Sequence, residues 1–383
     1  GAESTDDTAM WLHPEVPESS IIIGVSKTKP EDGGHAGIAT YDLKGRQIQY
    51  IEGDRLNNVD VRYNLKLNNK IFDFAAASNR DNKSILFYSI DENGLLLLDD
   101  IKMKNKLGKP IVEEPYGFCL GHNKKDNLHY AFVTMKSGLI YQYLLFDRGG
   151  LDMKHLRTID TSKYLSREQD DHLIDLVVRH TLNIEGHLPK PELTAKLSKK
   201  LSRRFQLEGC VYDDEKRVLY YGMENFGIWK LDYSKERIYP QLMARVEKVN
   251  SDPNPNTFPD GIPRLVNDIE GLSLHYGPSG QGALVVSVQG INEFAFFNRA
   301  TEKYMGSFKL NHGDDAVTET DGIDLLSTPL GAEYPMGIFV VHDHENTENG
   351  QLINGNYKIA SLEDILSHFP KLKFENYEFD PRK

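Results

Sequence analysis

Carboxylates recur along this 383-residue chain at positions that a structural repeat would gather in one place. Asp7 (DDTAMWL), Asp60 (NNVDVRY), Glu208 (LEGCVY), Glu270 (IEGLSL) and Asp321 (TDGIDLL) each open an apolar run, and Tyr116 (PYGFCL) opens a sixth. Asp6, Asp268 and Asp324 flank them, and Glu224 lies in Tyr221-Gly-Met-Glu-Asn225. Each acid alone reads as a solvated turn carboxylate or a strand cap. As a set they make a ring of like charge. A partly dry site tolerates such a ring only if acids protonate or a cation bridges them. Oxygen-only, highly charged donors select a hard cation, and Ca²⁺, with its flexible oxygen shell, fits best.

A second group is cationic. Lys27 follows Ile21–Ser26, Arg80 follows Ala75–Asn79, and Lys136 follows Phe132–Met135. Strand-end lysines and arginines commonly just protect sheet edges. Three of them around an acidic mouth would offer cations to phosphate oxygens, with arginine able to grip two at once.

Positioning such a set is a task for short strands. Runs rich in Ile, Val, Phe and Tyr, such as Lys70–Ala77, Ser84–Ile90 and Ala283–Val288, alternate with turns such as Asp91-Glu-Asn-Gly94. The six openings are spaced by about 53, 56, 92, 62 and 51 residues. Allowing for an insertion in the long interval, six units of roughly 50 residues match four-stranded blades, so the expected fold is an all-β, six-bladed β-propeller. Residues 1–383 then form one domain, with a helical insertion at about 162–204. Within it Leu193, Leu197 and Leu201 recur at helical spacing among Lys196, Lys199, Lys200, Arg203 and Arg204, and 171–180 reads as an earlier helix. The pair is expected at the periphery with a solvated charged face. The alternative is a basic flap that attracts an anionic substrate.

Composition removes several classes. With 45 basic against 57 acidic residues the net charge is −12, the wrong sign for a nucleic-acid binder. No apolar stretch is long enough to span a membrane. No signal peptide is present, though one could precede Gly1. Cys119 and Cys210 are far apart, form no CxxC pair, and read as buried small hydrophobes. His342 and His344 share a strand face but lack a third zinc ligand.

Several of these segments resemble a known family. Asp6-Asp-Thr-Ala-Met-Trp11 and Asn57-Asn-Val-Asp-Val-Arg-Tyr63 are similar to the two signature motifs of the β-propeller phytases. The likeness continues through Ala75–Arg80, Tyr116–Phe118, Glu208-Gly209, Asp268–Gly271, Ser287–Gly290, Thr320–Asp324 and Tyr334–Val340, and passes over the insertion. The resemblance implies a secreted, periplasmic or cell-surface monomer. It implies a calcium-dependent phosphatase that uses metal-activated water to release phosphate from phytate (myo-inositol hexakisphosphate) or other inositol phosphates. It assigns Lys27, Arg80, Tyr116 and Lys136 to phosphate binding at the cleavage site, with Glu208 and Glu224 also counted as catalytic. It assigns Asp7, Glu208, Glu224, Asp268, Glu270 and Asp321, with the carbonyls of Thr8 and Val59, to several Ca²⁺ ions, and Asp343 and Asn346 to a structural one.

The chain departs from the family pattern where Thr8 replaces a proline. Thr28 stands where a second lysine is common, followed by a longer loop from Lys29 to Ala36, and Ser137 stands where an acid is common. These changes fall on a second phosphate subsite more than on the cleavage site. They leave open a calcium-binding propeller with weak or lost catalysis that serves as a binding module. A single-metal, lactonase-like hydrolase fits the paired acids less well.

Overall fold

The computed structural model describes residues 5–28, 35–255, 265–312, 315–348, 351–369 and 379–383. Residues 29–34 of the loop after Lys27 therefore lie outside the described residues. The chain forms six small sheets arranged as a six-bladed β-propeller. Their inner strands are Thr8–Trp11, Leu56–Leu67, Gly117–Asn123, Leu207–Asp213, Ile269–Tyr276 and Ile323–Leu326. Each inner strand touches the next, and the last touches the first, so the ring is closed. Within the blades strands pair antiparallel from the axis outwards, except that Leu265–Val266 adds in parallel at the outer edge of blade four.

Blades pack face to face, so a strand near the axis is buried on both sides. This is why Thr8–Trp11, Gly117–Asn123 and Gly282–Val288 are buried throughout instead of alternating. The core is accordingly divided into apolar clusters between neighbouring blades. One joins Met10, Ile23, Val59 and Val340, and another joins Phe74, Phe87, Leu120 and Val133.

Polar contacts reinforce the apolar closure of the ring. The Tyr357 hydroxyl of blade six lies 2.9 Å from the carbonyls of both Asp7 and Val25 in blade one and shares its one proton between them. Gly24 makes room for that ring, since a Cβ there would stand 2.3 Å from it. On the opposite side Arg382 donates to Asp73, and its carbonyl accepts from Asn64.

Cys119 and Cys210 form a disulfide, which corrects the reading of both as free buried thiols. They are 91 residues apart in sequence, but they lie on the inner strands of consecutive blades, which the ring sets side by side. The insertion lengthens the chain between them without separating the strands.

That insertion is two helices, α1 (Arg167–Glu185) and α2 (Lys190–Ser202). Ser166 caps α1 in a reciprocal capping box with Gln169, and Glu168 and Asp170 face the positive end of the helix dipole. Leu173, Leu176 and Val177 bury α1 against blade four, beside Phe226 and Trp229 and near Val246. By contrast, α2 buries no residue. It is held by the ion pairs Lys196–Glu185, at 2.8 Å, and Arg204–Asp170, at 2.9 Å. No described helix is long and apolar enough to cross a membrane.

Candidate active site at the channel mouth

The register of the inner strands is set by glycines. The Gly271 N–H donates to the Asp321 carbonyl at 2.7 Å, and the Gly322 N–H donates to that of Asp6 at 3.1 Å. A Cβ on Gly117 would meet the Glu208 carbonyl at 1.6 Å, and one on Gly209 would meet that of Glu270 at 2.0 Å. Each acid–glycine step thus lets the next blade's backbone close in and carries its acid to the same height. The level so defined is Asp6, Asn57, Tyr116, Glu208, Glu270 and Asp321.

This level revises two sequence expectations. Asp60 stands three residues beyond Asn57 and lies deeper in the channel, not in the mouth ring. There it pairs with Arg62 at 2.8 Å and accepts from the Leu120 N–H. Asp7 stands one residue below Asp6, with Oδ2 accepting from Val59 N–H at 3.0 Å and Asn58 Nδ2 at 3.2 Å. Asp7, Thr8 and Val59 line a small axial cavity of about 40 Å³ bounded by all six inner strands.

At the mouth, ligand oxygens of Glu208, Glu224 and Glu270 lie within 4.8 Å of one another, and all three side chains are buried. Glu224 Oε1 and Glu270 Oε2 have no hydrogen-bond partner among the described residues. Burial, then the Glu208 charge, pushes the carboxyls of Glu224 and Glu270 well above the usual range. Asp268, with φ at 68°, is raised to about 6 by burial and by Asp321. Such a set is unfavourable without a cation between its members. Its buried, unpartnered oxygens and all-oxygen chemistry fit a hard divalent ion.

One side of the ring already holds an internal cation. Lys27 pairs with Asp6 and, at 2.9 Å, with Asp321. Asp321 also accepts from Gln289 Nε2 at 2.5 Å. Burial opposes its ionisation, but the Lys27 ammonium outweighs burial and holds it below the usual range. His342 is itself lowered to about 4 by burial, so it stands neutral.

The next two blades carry the other cations. Arg80 donates to Asn57 Oδ1 at 2.9 Å, and Lys136 sits 4.0 Å above the Tyr116 ring. Burial and then Arg80 lower the Lys136 ammonium. Burial, followed by Glu208 and Glu224, raises Tyr116. Asn57 is the hub, because its Nδ2 also donates to Glu208 Oε1 at 3.0 Å and to the Tyr116 carbonyl at 2.8 Å. Gln206 Nε2 donates to Glu224 Oε2, and neither it, nor Asn57, nor Gln289 had a role in the sequence reading. The paired amides Asn57-Asn58 at a blade opening were the signal available.

Asp343 and Asn346 form a different cluster. With Asp315 they surround the Lys358 ammonium, which lies 2.9 Å from Asp315 and 3.4 Å from Asp343.

A closed propeller with buried acids on one side of its mouth and arginine and lysine on the other is suited to anionic esters. The family model described as Phytase matches residues 1–168 and 188–383, and the chain belongs to the phytase family of hydrolases. Among its curated relatives is a 3-phytase of Bacillus subtilis (strain 168). That protein is 33% identical over 389 residues, an alignment that covers all of this chain and 86% of the relative.

Proposed function

We propose that the protein hydrolyses phosphate monoesters of phytate and depends on calcium held at the channel mouth. The observation that carries this reading is the facing of Glu208, Glu224 and Glu270, with unpartnered oxygens, beside Arg80, Tyr116 and Lys136. Phytate is a dense polyanion, and the chain carries −12. The two repel unless cations lie between them. Glu208, Glu224, Asp268, Glu270, Asp321 and Asp7, with the carbonyls of Thr8 and Val59, are the residues that would hold the ions. Bound calcium would supply Lewis-acid charge and make water more acidic.

The chain's own residues do the rest. Arg80, fixed by Asn57, and Lys136, seated on Tyr116, grip two oxygens of the phosphate to be removed, and Lys27 offers a third cation. These groups stabilise charge on the equatorial oxygens. Glu208 and Glu224 accept hydrogen bonds from the attacking water and orient it in line. The new P–O bond forms as the bond to the inositol oxygen breaks, and no covalent enzyme intermediate is needed. The Cys119–Cys210 disulfide and the calcium requirement both favour an extracytoplasmic location.

The test is phosphate release from phytate near neutral pH, with calcium and then with excess chelator. Release that needs calcium and returns on its re-addition supports the reading. Release unaffected by chelator, or none with calcium, overturns it.

A further inference from the structure

Beside the mouth lies a cleft of about 440 Å³ that the blades do not close by themselves. Its floor is Glu224, Asp268 and Lys136, and its outer wall is the helical insertion. From α2 come Lys196, Lys199 and Lys200, with Arg203 just after the helix. Lys196 is engaged with Glu185 at 2.8 Å. Lys199, Lys200 and Arg203 have no ion-pair partner among the described residues. The wall faces the mouth, because Lys199, Lys200 and Arg203 line the same cleft as Asp268, Glu224 and Lys136.

The architecture is not that of a solvated decoration. Helix α1 is anchored by buried leucines and by Arg179–Asp252 at 3.1 Å, and His180 bonds Ser251 at 3.1 Å. Helix α2 has no fully buried residue, but Leu201 packs against the core below it, Lys196 pairs with Glu185 at mid-helix, and Arg204 just beyond its end pairs with Asp170. Three cations are thereby fixed across a cleft from the catalytic lysine. Clustered like charges repel, and a ligand bearing several negative charges relieves this beyond what Glu185 and Asp268 of the same cleft supply. The family model passes over residues 169–187, most of α1 and the turn that leads to α2.

We propose that Lys199, Lys200 and Arg203 form an accessory phosphate subsite, which holds phosphates of the substrate other than the one being cleaved. The insertion would then make the enzyme selective for highly phosphorylated inositols over simple monoesters. This inference rests on the phytate reading above.

The experiment compares the wild type with the triple variant Lys199→Gln, Lys200→Gln, Arg203→Gln, in calcium. Steady-state rates are measured on phytate and on p-nitrophenyl phosphate. Isothermal titration calorimetry with phytate follows binding separately. The expected result is a KM for phytate raised about tenfold with kcat little changed, a weaker salt dependence of kcat/KM, and p-nitrophenyl phosphate kinetics within about twofold of wild type. A Lys199→Arg, Lys200→Arg variant should retain the wild-type KM. Equal loss on both substrates, or a phytate KM unchanged in the triple variant, overturns the subsite. If the wild type hydrolyses no phytate, the functional reading fails. Calorimetry then decides the subsite alone, since weaker phytate binding by the triple variant supports it and equal binding rejects it. The melting temperature should not move, because Lys199, Lys200 and Arg203 are exposed.

Discussion

Two levels of the same channel treat acidic residues in opposite ways. At the mouth, Glu208, Glu224 and Glu270 face one another with oxygens left unpartnered. Three residues deeper along the same strands, the acids are neutralised from within. Arg62 pairs with Asp60 at 2.8 Å and with Asp214 at 3.2 Å. Asp324 accepts from Ser273 at 2.9 Å and from the Met10 N–H at 2.8 Å. Burial and the Asp60 charge push its carboxyl up to about 7. The deep level is a finished structural network. At the mouth the chain supplies no cation among the described residues for the facing oxygens of Glu208, Glu224 and Glu270, and cations from outside are what we propose complete it. Buried acids on a propeller axis therefore do not all belong to a metal site; what separates them is whether the chain supplies their counter-charge.

The largest expected effect lies in the deep level. Arg62→Met leaves Asp60 and Asp214 buried without their cation and should cost about 3–5 kcal/mol in chemical denaturation. The loss should be the same in calcium and in chelator, since the deep network needs no ion. A loss that calcium repairs would erase the distinction between the levels.

Next comes the mouth. Glu208→Gln should lower phosphate release from phytate by at least about 100-fold. The same change removes a like charge from Glu224 and Glu270, so stability in chelator should stay level or rise. A variant that unfolds in chelator would show that Glu208 belongs with the structural acids.

The smallest effect concerns pH. The deep network continues through Asp214, which accepts from the His122 N–H at 2.8 Å, to the stacked rings of His122 and His129, 4.1 Å apart. Burial, with His122 alongside, lowers His129 to about 3. The unfolded chain binds this proton more readily, near the ordinary value of about 6.5. The neutral ring's contribution is therefore present above that value and fades as pH falls towards about 3. The slope is at most about 1.4 kcal/mol per pH unit for this group. His129→Gln keeps a donor for the Tyr63 carbonyl and should flatten the stability profile between pH 6 and 4, read by urea denaturation. An unchanged slope would remove His129 from the acid-labile part of the network.

The sequence carried the six-fold period, the acid–glycine openings and the strand-end cations, because each is a local pattern. The mouth residues Glu208, Glu270 and Asp321 were legible for that reason. The height of Asp60 was not. An acid stood where an acid was expected, but the register is fixed by hydrogen bonds between blades, and these put Asn57 in the ring. The Cys119–Cys210 bond escaped for the same reason, since it joins blades and not neighbours in sequence. The direction of the α2 cations depends on how α1 docks against blade four, and helical periodicity alone does not specify that.

The most direct measurement is calcium binding to metal-stripped protein, followed by titration calorimetry in the wild type, Glu208→Gln, Glu270→Gln and Asp324→Asn. Asp324→Asn is the deep-level control, and it should fold because the carboxyl it replaces is already raised to about 7. The account predicts that each mouth substitution abolishes or weakens calcium binding by at least about tenfold, while Asp324→Asn binds as the wild type does. Equal loss at both levels, or calcium binding untouched by the mouth substitutions, would contradict it.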